Sequence, residues 1–387
     1  MARSKVYVAS VGLTKVGDQW GKSLLDLAVE AARGAMKGAP RVKPQQVIVG
    51  NMFSAVGASQ EHLGALVASA LGLAGTPAFK VESACSSGGS AFHVAYSLVG
   101  AGALDSALVV GVEKMRDLEP EEVSEALAMA ESAEYTQFVG ATFAALNGLL
   151  ARYYMEQYDV SRDELSAIPV IDHANAVAAE HAQFRRAITP EVVNRSAMVA
   201  DPLRLFDCAP VGDGSAAVLL VGEAAASGAK GRLAEVLGGR VATGEFSVYE
   251  RDDMLDFAAT REAFKGAMAQ AGLSPKKLRF AEIHDAFSVV GALALEAMGF
   301  SKRGRGAKDA SDGMYRAGSE LPINTFGGLK ARGHPVGATG VYQVAEAYLQ
   351  VTGQAGKNQV PGADYGVAHN IGGVDTTSVV HVLGRGA

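Results

Sequence analysis

Cysteine is almost missing: Cys85 and Cys208 are the only two among 387 residues. Two cysteines cannot build a disulfide framework, nor a Cys-rich zinc or iron–sulfur site. Long apolar runs are also missing; none approaches the roughly 20 residues that cross a bilayer. The N-terminal stretch MARSKVYVASVGLTKVG lacks the h-region and cleavage site of a signal peptide. A soluble protein of a reducing compartment, most simply cytoplasmic, is expected, with no membrane contact. Basic charge is in deficit, 35 Lys+Arg against 41 Asp+Glu. That excess of acid argues against nucleic acid as a partner, because a broad phosphate-binding surface needs the opposite sign. The eight histidines form no HExxH and no Cys/His pairs, so no metal is expected. GxxxxGK[ST], an early GxGxxG and GxSxG are absent as well, which excludes the usual phosphate, dinucleotide and serine-elbow sites.

What the chain does have is apolar residues, 49% against 20% charged, over a length that suggests two core units. It also has 46 glycines, many in clusters between apolar runs: GGS, VGDG, FGGLKARG, GATG, IGG. Such clusters mark tight turns, close backbone approach to a ligand, or easy helix–sheet packing. Strand-like segments (Lys5–Val11, Gln46–Asn51, Phe79–Glu82, Ser106–Val112) alternate with helical ones (Ser23–Met36, Glu61–Leu71, Ser86–Val99). This βαβα order predicts an α/β, doubly wound, mostly parallel sheet. Residues 116–204 are helical in pattern and richer in charge, as an inserted cap would be. Alternation returns with the strand Ser215–Val221 and a linker-like AAASGAKGR. The second half reads as strands Leu233–Leu237 and Arg240–Gly244, helix Ala258–Ala271, strand Phe280–Ile283, helices Phe287–Met298 and Val341–Val351, and strands Tyr365–Ala368 and Thr376–Leu383. The expected organisation is 1–115, cap 116–204, a returning strand in 205–228, and a second half over 229–387. A weak repeat supports two related halves. Cys85-Ser86-Ser87-Gly88 and His334-Pro335-Val336-Gly337 each open a helix with an apolar face and a Gly/Ala-rich end.

Four places carry chemistry-bearing residues. Cys85 follows a strand and precedes a helix, where the helix N-terminus is expected to lower a thiol pKa and make a nucleophile. Cys208, beside acidic residues in LFDCAPVGDG, reads as structural. His334, in GGLKARGHPVGATG, is placed to take the proton of Cys85, with Lys330 and Arg332 nearby to favour anions. His284 of HDAF ends a strand and is suited to donate to a substrate carbonyl; Asp285 beside it reads equally as a helix cap. The run His369-Asn370-Ile371-Gly372-Gly373 offers N–H groups for an oxyanion hole, or is a plain turn. A basic stretch around Lys302-Arg303-Gly304-Arg305 and Lys308 suits phosphates, a partner, or solvent. No CoA contact is legible.

Taken in order, VESACSSGGSA, AEIHDAFS, NTFGGLKARGHPVGATG and AHNIGGVDTTSVVHVL resemble the thiolases along nearly the whole chain. HDAF points to the sterol-carrier-protein-type and archaeal acetyl-CoA C-acetyltransferase subgroup. The resemblance implies two similar halves in α-β-α-β-α layers with a loop domain covering coenzyme A, and a homodimer or homotetramer. It implies that Cys85 is acylated by an acyl-CoA, that His334 activates Cys85 and His284 holds a thioester oxygen, and that Cys85 and Gly372 N–H groups form the oxyanion hole. It also implies that Asn324 and the Gly327-Gly328 turn shape the pocket.

One departure stands out. The family's second acid/base is a cysteine in C-x-G or inside H-D-C-F. Here those positions are Asn370 and Ala286, leaving His369 or His284 as substitutes. Three expectations follow. The first is reversible Claisen condensation or thiolysis of acetoacetyl-CoA or a 3-ketoacyl-CoA. The second is another carbon–carbon reaction of a CoA thioester, C-acylation or aldol-type cleavage, with a small zinc-ribbon/OB-fold partner. The third is a non-catalytic acyl-CoA-binding subunit.

Overall fold

The computed structural model describes residues 4–229 and 231–386. Residues 1–3 of the N-terminal stretch and Lys230 of the AAASGAKGR linker lie outside them. Five strands belong to the first half: β1 (Val6–Leu13), β2 (Val47–Gly50), β3 (Ala78–Val81), β4 (Ser106–Glu113) and β5 (Gly214–Gly222). Four belong to the second: β6 (Ala234–Thr243), β7 (Phe280–Glu282), β8 (Tyr365–Gly372) and β9 (Thr377–Arg385). Their order is β3-β2-β4-β5-β1-β6-β9-β8-β7. The halves meet where Tyr7 and Val8 pair with Glu235 and Ala234. Ile323 adds a parallel bridge to Ala281 at the far edge. It occupies in the second half the place β3 has in the first, so the order repeats across the seam.

The helices complete five layers. Helices α1 (Leu24–Gly38) and α2 (Leu63–Ala70) cover the outer face of the first half and share its core with β1, β2, β4 and β5. The middle layer is α3 (Ser87–Gly100) with α9 (Thr339–Val351), packed on each other between the two sheet halves. The other outer layer holds α7 (Ala258–Ala271) and α8 (Ser288–Ala297). The 116–204 segment contributes α4 (Pro120–Ala128), α5 (Phe143–Tyr158) and α6 (Ala167–Ala176), with α5 and α6 against α8. The amphipathic stripe of α1 is buried through Leu24, Leu27, Ala28, Ala31, Ala32 and Ala35, and a Ser23–Asp26 capping box starts it.

Three sequence expectations need correction. The sheet is not mostly parallel: only the β2–β3, β2–β4 and β7–β8 pairs are. Residues 373–376 join β8 to β9, far too few for a crossover, so that pair is antiparallel. Strand β6 is one continuous strand, where the sequence suggested two. Gly238, which looked like a break, sits where a Cβ would lie 2.2 Å from the Ala267 carbonyl, so it lets α7 close on the sheet. The linker-like segment begins with a helical turn, Glu223–Ala226, and a short ribbon pairs Met198–Ala200 with Leu203–Arg204, both unforeseen. Among the described residues no helix is long and apolar enough to cross a membrane, and no group of three metal-ligating side chains forms.

Candidate active site

The site forms where the middle helices begin. A Cβ on Gly88 would sit 2.7 Å from the Gly337 carbonyl, and one on Gly340 2.3 Å from the Gly89 nitrogen. Only glycine allows the two turns to abut, and this brings the Cys85 turn against the His334 turn. Cys85 packs in one apolar cluster with Phe53, Met115 and Val336, and α4 covers it through Val123 and Ala126. Ala84, just before it, is left-handed at φ 51°. A non-glycine residue held there costs on the order of 1 kcal/mol, strain of the kind that surrounding packing sustains at functional sites.

Asn370 ties the pieces together. Its amide donates to the Cys85 carbonyl at 3.2 Å and to His284 Nδ1 at 3.1 Å, while its Oδ1 accepts from the Gly89 nitrogen at 3.3 Å. All three agree on which end is the amide nitrogen. His284 Nδ1 is therefore an acceptor and its proton is on Nε2. The His284 ring stands edge-on to His334, with centroids 5.3 Å apart. His334 has the opposite tautomer. Thr339 Oγ1 donates to the Pro335 carbonyl at 3.2 Å, so His334 Nδ1–H donates to Thr339 at 2.7 Å and Nε2 keeps its lone pair. One imidazole is thus a donor and the other a base.

His369 is spent elsewhere. Thr260 gives its hydroxyl proton to Asp375 at 2.5 Å, so His369 Nε2–H donates to Thr260 at 3.0 Å. Its Nδ1 accepts from the His284 backbone at 3.4 Å. Both nitrogens of this fully buried ring are committed, which removes it as a substitute base and makes it a brace for His284.

The expected low thiol pKa is not found. Burial, and next Glu113, push the Cys85 thiol up to about 12. Helix α3 starts only at Ser87, and its N-terminal field does not offset the lost hydration. Burial, then Arg332, lowers His334 to about 3. Burial, then His334, lowers His284 too. At rest the Cys85 thiol and the two imidazoles are all neutral, on turns that the Gly88–Gly337 approach brings together.

Gly372 ends β8 against the Cys85 turn: a Cβ there would be 2.3 Å from the Ser83 carbonyl and 2.6 Å from Ser86 Oγ. The rest of the HNIGG run lies within the strand, so the plain-turn reading holds only from Gly373 on. Asn324, left-handed at φ 49°, accepts from the Ile283 nitrogen at 2.8 Å and donates to Asp172 at 3.0 Å. It thereby fixes the strand end that carries His284. Gly327 and Gly328, at φ 106° and 54°, fold the loop around it. Asp285 does not cap α8; its Oδ1 accepts from the Leu329 nitrogen at 2.9 Å.

Sequence reasoning missed Glu113. It closes an otherwise apolar strand, which was the available signal. Its carboxylate accepts from Met52, Phe53 and Gly337 nitrogens and from the Asn51 amide, locking the His334 turn to the first half. Most of the basic stretch is already partnered within the chain. Arg303 pairs with Asp253, Arg305 with Asp309 and Asp312, and Lys308 donates to the Tyr158 carbonyl.

Cys208 bridges to Phe287, and the Ala209 nitrogen donates to the Ala286 carbonyl at 2.8 Å. Beside this segment opens a mostly apolar cleft of about 460 Å³, lined by Phe184, Ile188, Val192, Leu205, Phe206 and Lys330. Lys330 donates to the Cys208 and Leu205 carbonyls at 2.7 and 3.2 Å and lies 5.0 Å from the Phe206 ring centre.

A duplicated five-layer α/β scaffold, with a thiol turn, a lone-pair imidazole and glycine turns at its seam, defines a class: acyltransferases that work on thioesters. The family model described as "Thiolase, N-terminal domain" matches residues 6–224, and "Thiolase C-terminal domain-like" matches 241–385. The acetyl-CoA acetyltransferase of Methanothermobacter thermautotrophicus is 40% identical over 382 residues, covering 98% of this chain and 99% of that one. Human sterol carrier protein 2 is 30% identical, over 95% of this chain and 70% of its own length. A solved structure, "Ltp2-ChsH2(DUF35) aldolase", superposes with a TM-score of 0.84 at 22% identity, over 99% of this chain and 98% of that chain. The chain belongs to the thiolase family, and it is a CoA-dependent acyltransferase of thiolase type.

Proposed function

We propose that the protein transfers an acyl group through a thioester on Cys85, in reversible Claisen condensation or thiolysis of acetoacetyl-CoA or a related 3-ketoacyl-CoA. The observation that carries this is the pairing of tautomers. His334 Nε2 is free to take the Cys85 proton, while His284 Nε2–H is free to donate to the thioester oxygen. In this reading the N–H groups of Cys85 and Gly372 receive the oxygen of the acyl-enzyme. In the same reading the pantetheine arm of CoA lies in the cleft between residues 184–209 and Lys330. Arg186, which lines that cleft, is a cation suited to a phosphate there. The protein works as a homodimer or homotetramer in the cytoplasm.

A second reading keeps the acyl-CoA and changes the carbon–carbon step. The empty positions Asn370 and Ala286 favour it, and so does likeness to a chain titled an aldolase in complex with ChsH2. In it the chain cleaves or acylates another CoA thioester, together with a small zinc-ribbon/OB-fold protein. The third expectation, a subunit that only binds acyl-CoA, has less support, since its lone-pair base would serve no purpose. Mixing the protein with acetoacetyl-CoA and free CoA and following acetyl-CoA formation tests the first reading. Steady turnover supports it. Absence of turnover, with acylated Cys85 present, rejects it in favour of the second.

A further inference from the structure

Thiolysis or condensation needs a second proton transfer, at the α-carbon of an acetyl-CoA, and the described residues leave few groups to perform it. Asn370 is an amide fixed by three hydrogen bonds, and Ala286 has no functional group. Both His369 nitrogens are occupied, and His284 carries its proton on Nε2 with Nδ1 accepting from Asn370. Cys208 gives its thiol hydrogen to the Arg204 carbonyl at 3.5 Å, on a segment that pairs with Phe287 rather than with the Cys85 turn. Glu131 has one unpartnered buried oxygen, but its neighbours are Arg251 and the Val374 backbone, beyond the end of β8. What remains at the seam is the lone pair on His334.

We infer that His334 Nε2 moves both protons of the reaction, the thiol proton and the α-carbon proton, so that this enzyme runs on one base where two are usual. The inference rests on the acyl-transfer reading above. In the first half-reaction Nε2 takes the Cys85 proton as sulfur attacks the thioester carbon. The bond from that carbon to the CoA sulfur then breaks, and the imidazolium returns the proton to the departing thiolate. In the second, Nε2 takes a proton from the α-carbon of the incoming acetyl-CoA. The enolate carbon bonds to the acyl carbon, the bond to Cys85 breaks, and the same proton goes to the Cys85 thiolate. Each half-reaction begins and ends with a neutral imidazole, the tautomer the hydrogen bonds define; the first converts the Cys85 thiol to a thioester and the second restores the thiol. Thr339 orients the ring throughout, and Asn370 keeps His284 as the donor to the enolate oxygen.

Exchange of the acetyl-CoA methyl hydrogens in D₂O, followed by NMR, isolates the second transfer. Three variants are compared with the wild type: Cys85→Ala, His334→Gln and Glu131→Gln. With His334 as base, exchange persists in Cys85→Ala, which cannot be acylated, and in Glu131→Gln. In His334→Gln it falls by about 10²-fold or more, the usual worth of a general base. Exchange surviving in His334→Gln overturns the inference, as does loss in Glu131→Gln or in Cys85→Ala. Thermal melts of each variant separate loss of a base from loss of the fold, and His334→Asn repeats the test with a smaller amide. Failure of the wild type to form an acyl adduct at Cys85 would instead count against the acyl-transfer reading, independently of the exchange result.

Discussion

Replacing Gly372 by alanine tests the oxyanion geometry. The added Cβ would lie 2.3 Å from the Ser83 carbonyl oxygen and 2.6 Å from Ser86 Oγ. The first distance is roughly 1 Å short of van der Waals contact, and the obstacle is backbone, which cannot rotate away. Ser83 is also pinned: its carbonyl accepts from the Ser86 nitrogen and hydroxyl, and its nitrogen accepts nothing but donates to Ser87 Oγ. The end of β8 must therefore retreat by a good fraction of an ångström, taking the Gly372 N–H with it. A misplacement of about 1 Å costs on the order of 10²-fold, and loss of one oxyanion donor about 10²–10³-fold, or 2.7–4 kcal/mol. Overpacking of this kind costs only about 1–3 kcal/mol of stability, so the variant should still fold. Rapid mixing with acetyl-CoA, with released CoA thiol detected by a chromogenic reagent, measures acylation directly. We expect the acylation rate to fall 10²–10³-fold with little change in the acetyl-CoA concentration that half-saturates it. Acylation within threefold of the wild type, in a folded variant, would refute the oxyanion assignment.

Other outcomes follow from the same geometry. Glu113→Ala strands four donors from Asn51, Met52, Phe53 and Gly337, all but the Met52 one buried, and should cost about 3–5 kcal/mol in chemical denaturation; an unchanged midpoint would contradict the lock assigned to it. Ala286→Cys restores a thiol beside the cleft and should raise acetoacetyl-CoA thiolysis about tenfold or more, and unchanged turnover would place that side chain out of reach of the substrate carbon. Stability, read from melting temperature, should be highest on a plateau between about pH 4.5 and 6.5. Burial raises Glu113, Glu131 and Asp375 to about 7, so their contribution is complete below the ordinary carboxyl range and is lost as pH rises through 7. Burial lowers His173 to about 4 and His334 and His369 to about 3, so theirs is present above 6.5 and is lost as pH falls. A melting temperature that climbs steadily from pH 5 to 9 would contradict the carboxyl assignment.

The layered α/β scaffold was legible because its signals are local. Apolar four- to nine-residue strands and the stripe of α1 speak for themselves, and the likeness of the Cys85 and His334 turns foretold two related halves. Strand direction was less legible, because it depends on how far the chain travels between strands. The site residues could be named from their motifs, but their protonation could not. The low thiol pKa expected from a helix start gives way to desolvation, a property of the closed seam rather than of CSSGG. The roles of His284, His334 and His369 diverge only through Asn370, Thr339 and Thr260, which lie 86, 5 and 109 residues away from them. Glu113 escaped notice for the same reason: its four donors come from two separate segments, 51–53 and the turn at Gly337.

The central claim is that Cys85 carries the acyl group. Intact mass of the protein after brief incubation with acetyl-CoA, followed by peptide mapping, tests it most directly. The account predicts one added acetyl group on Cys85, removed by free CoA and absent in Cys85→Ala. An unmodified wild-type chain, tested alone and with a zinc-ribbon/OB-fold partner supplied, or an adduct that persists in Cys85→Ala, would contradict it.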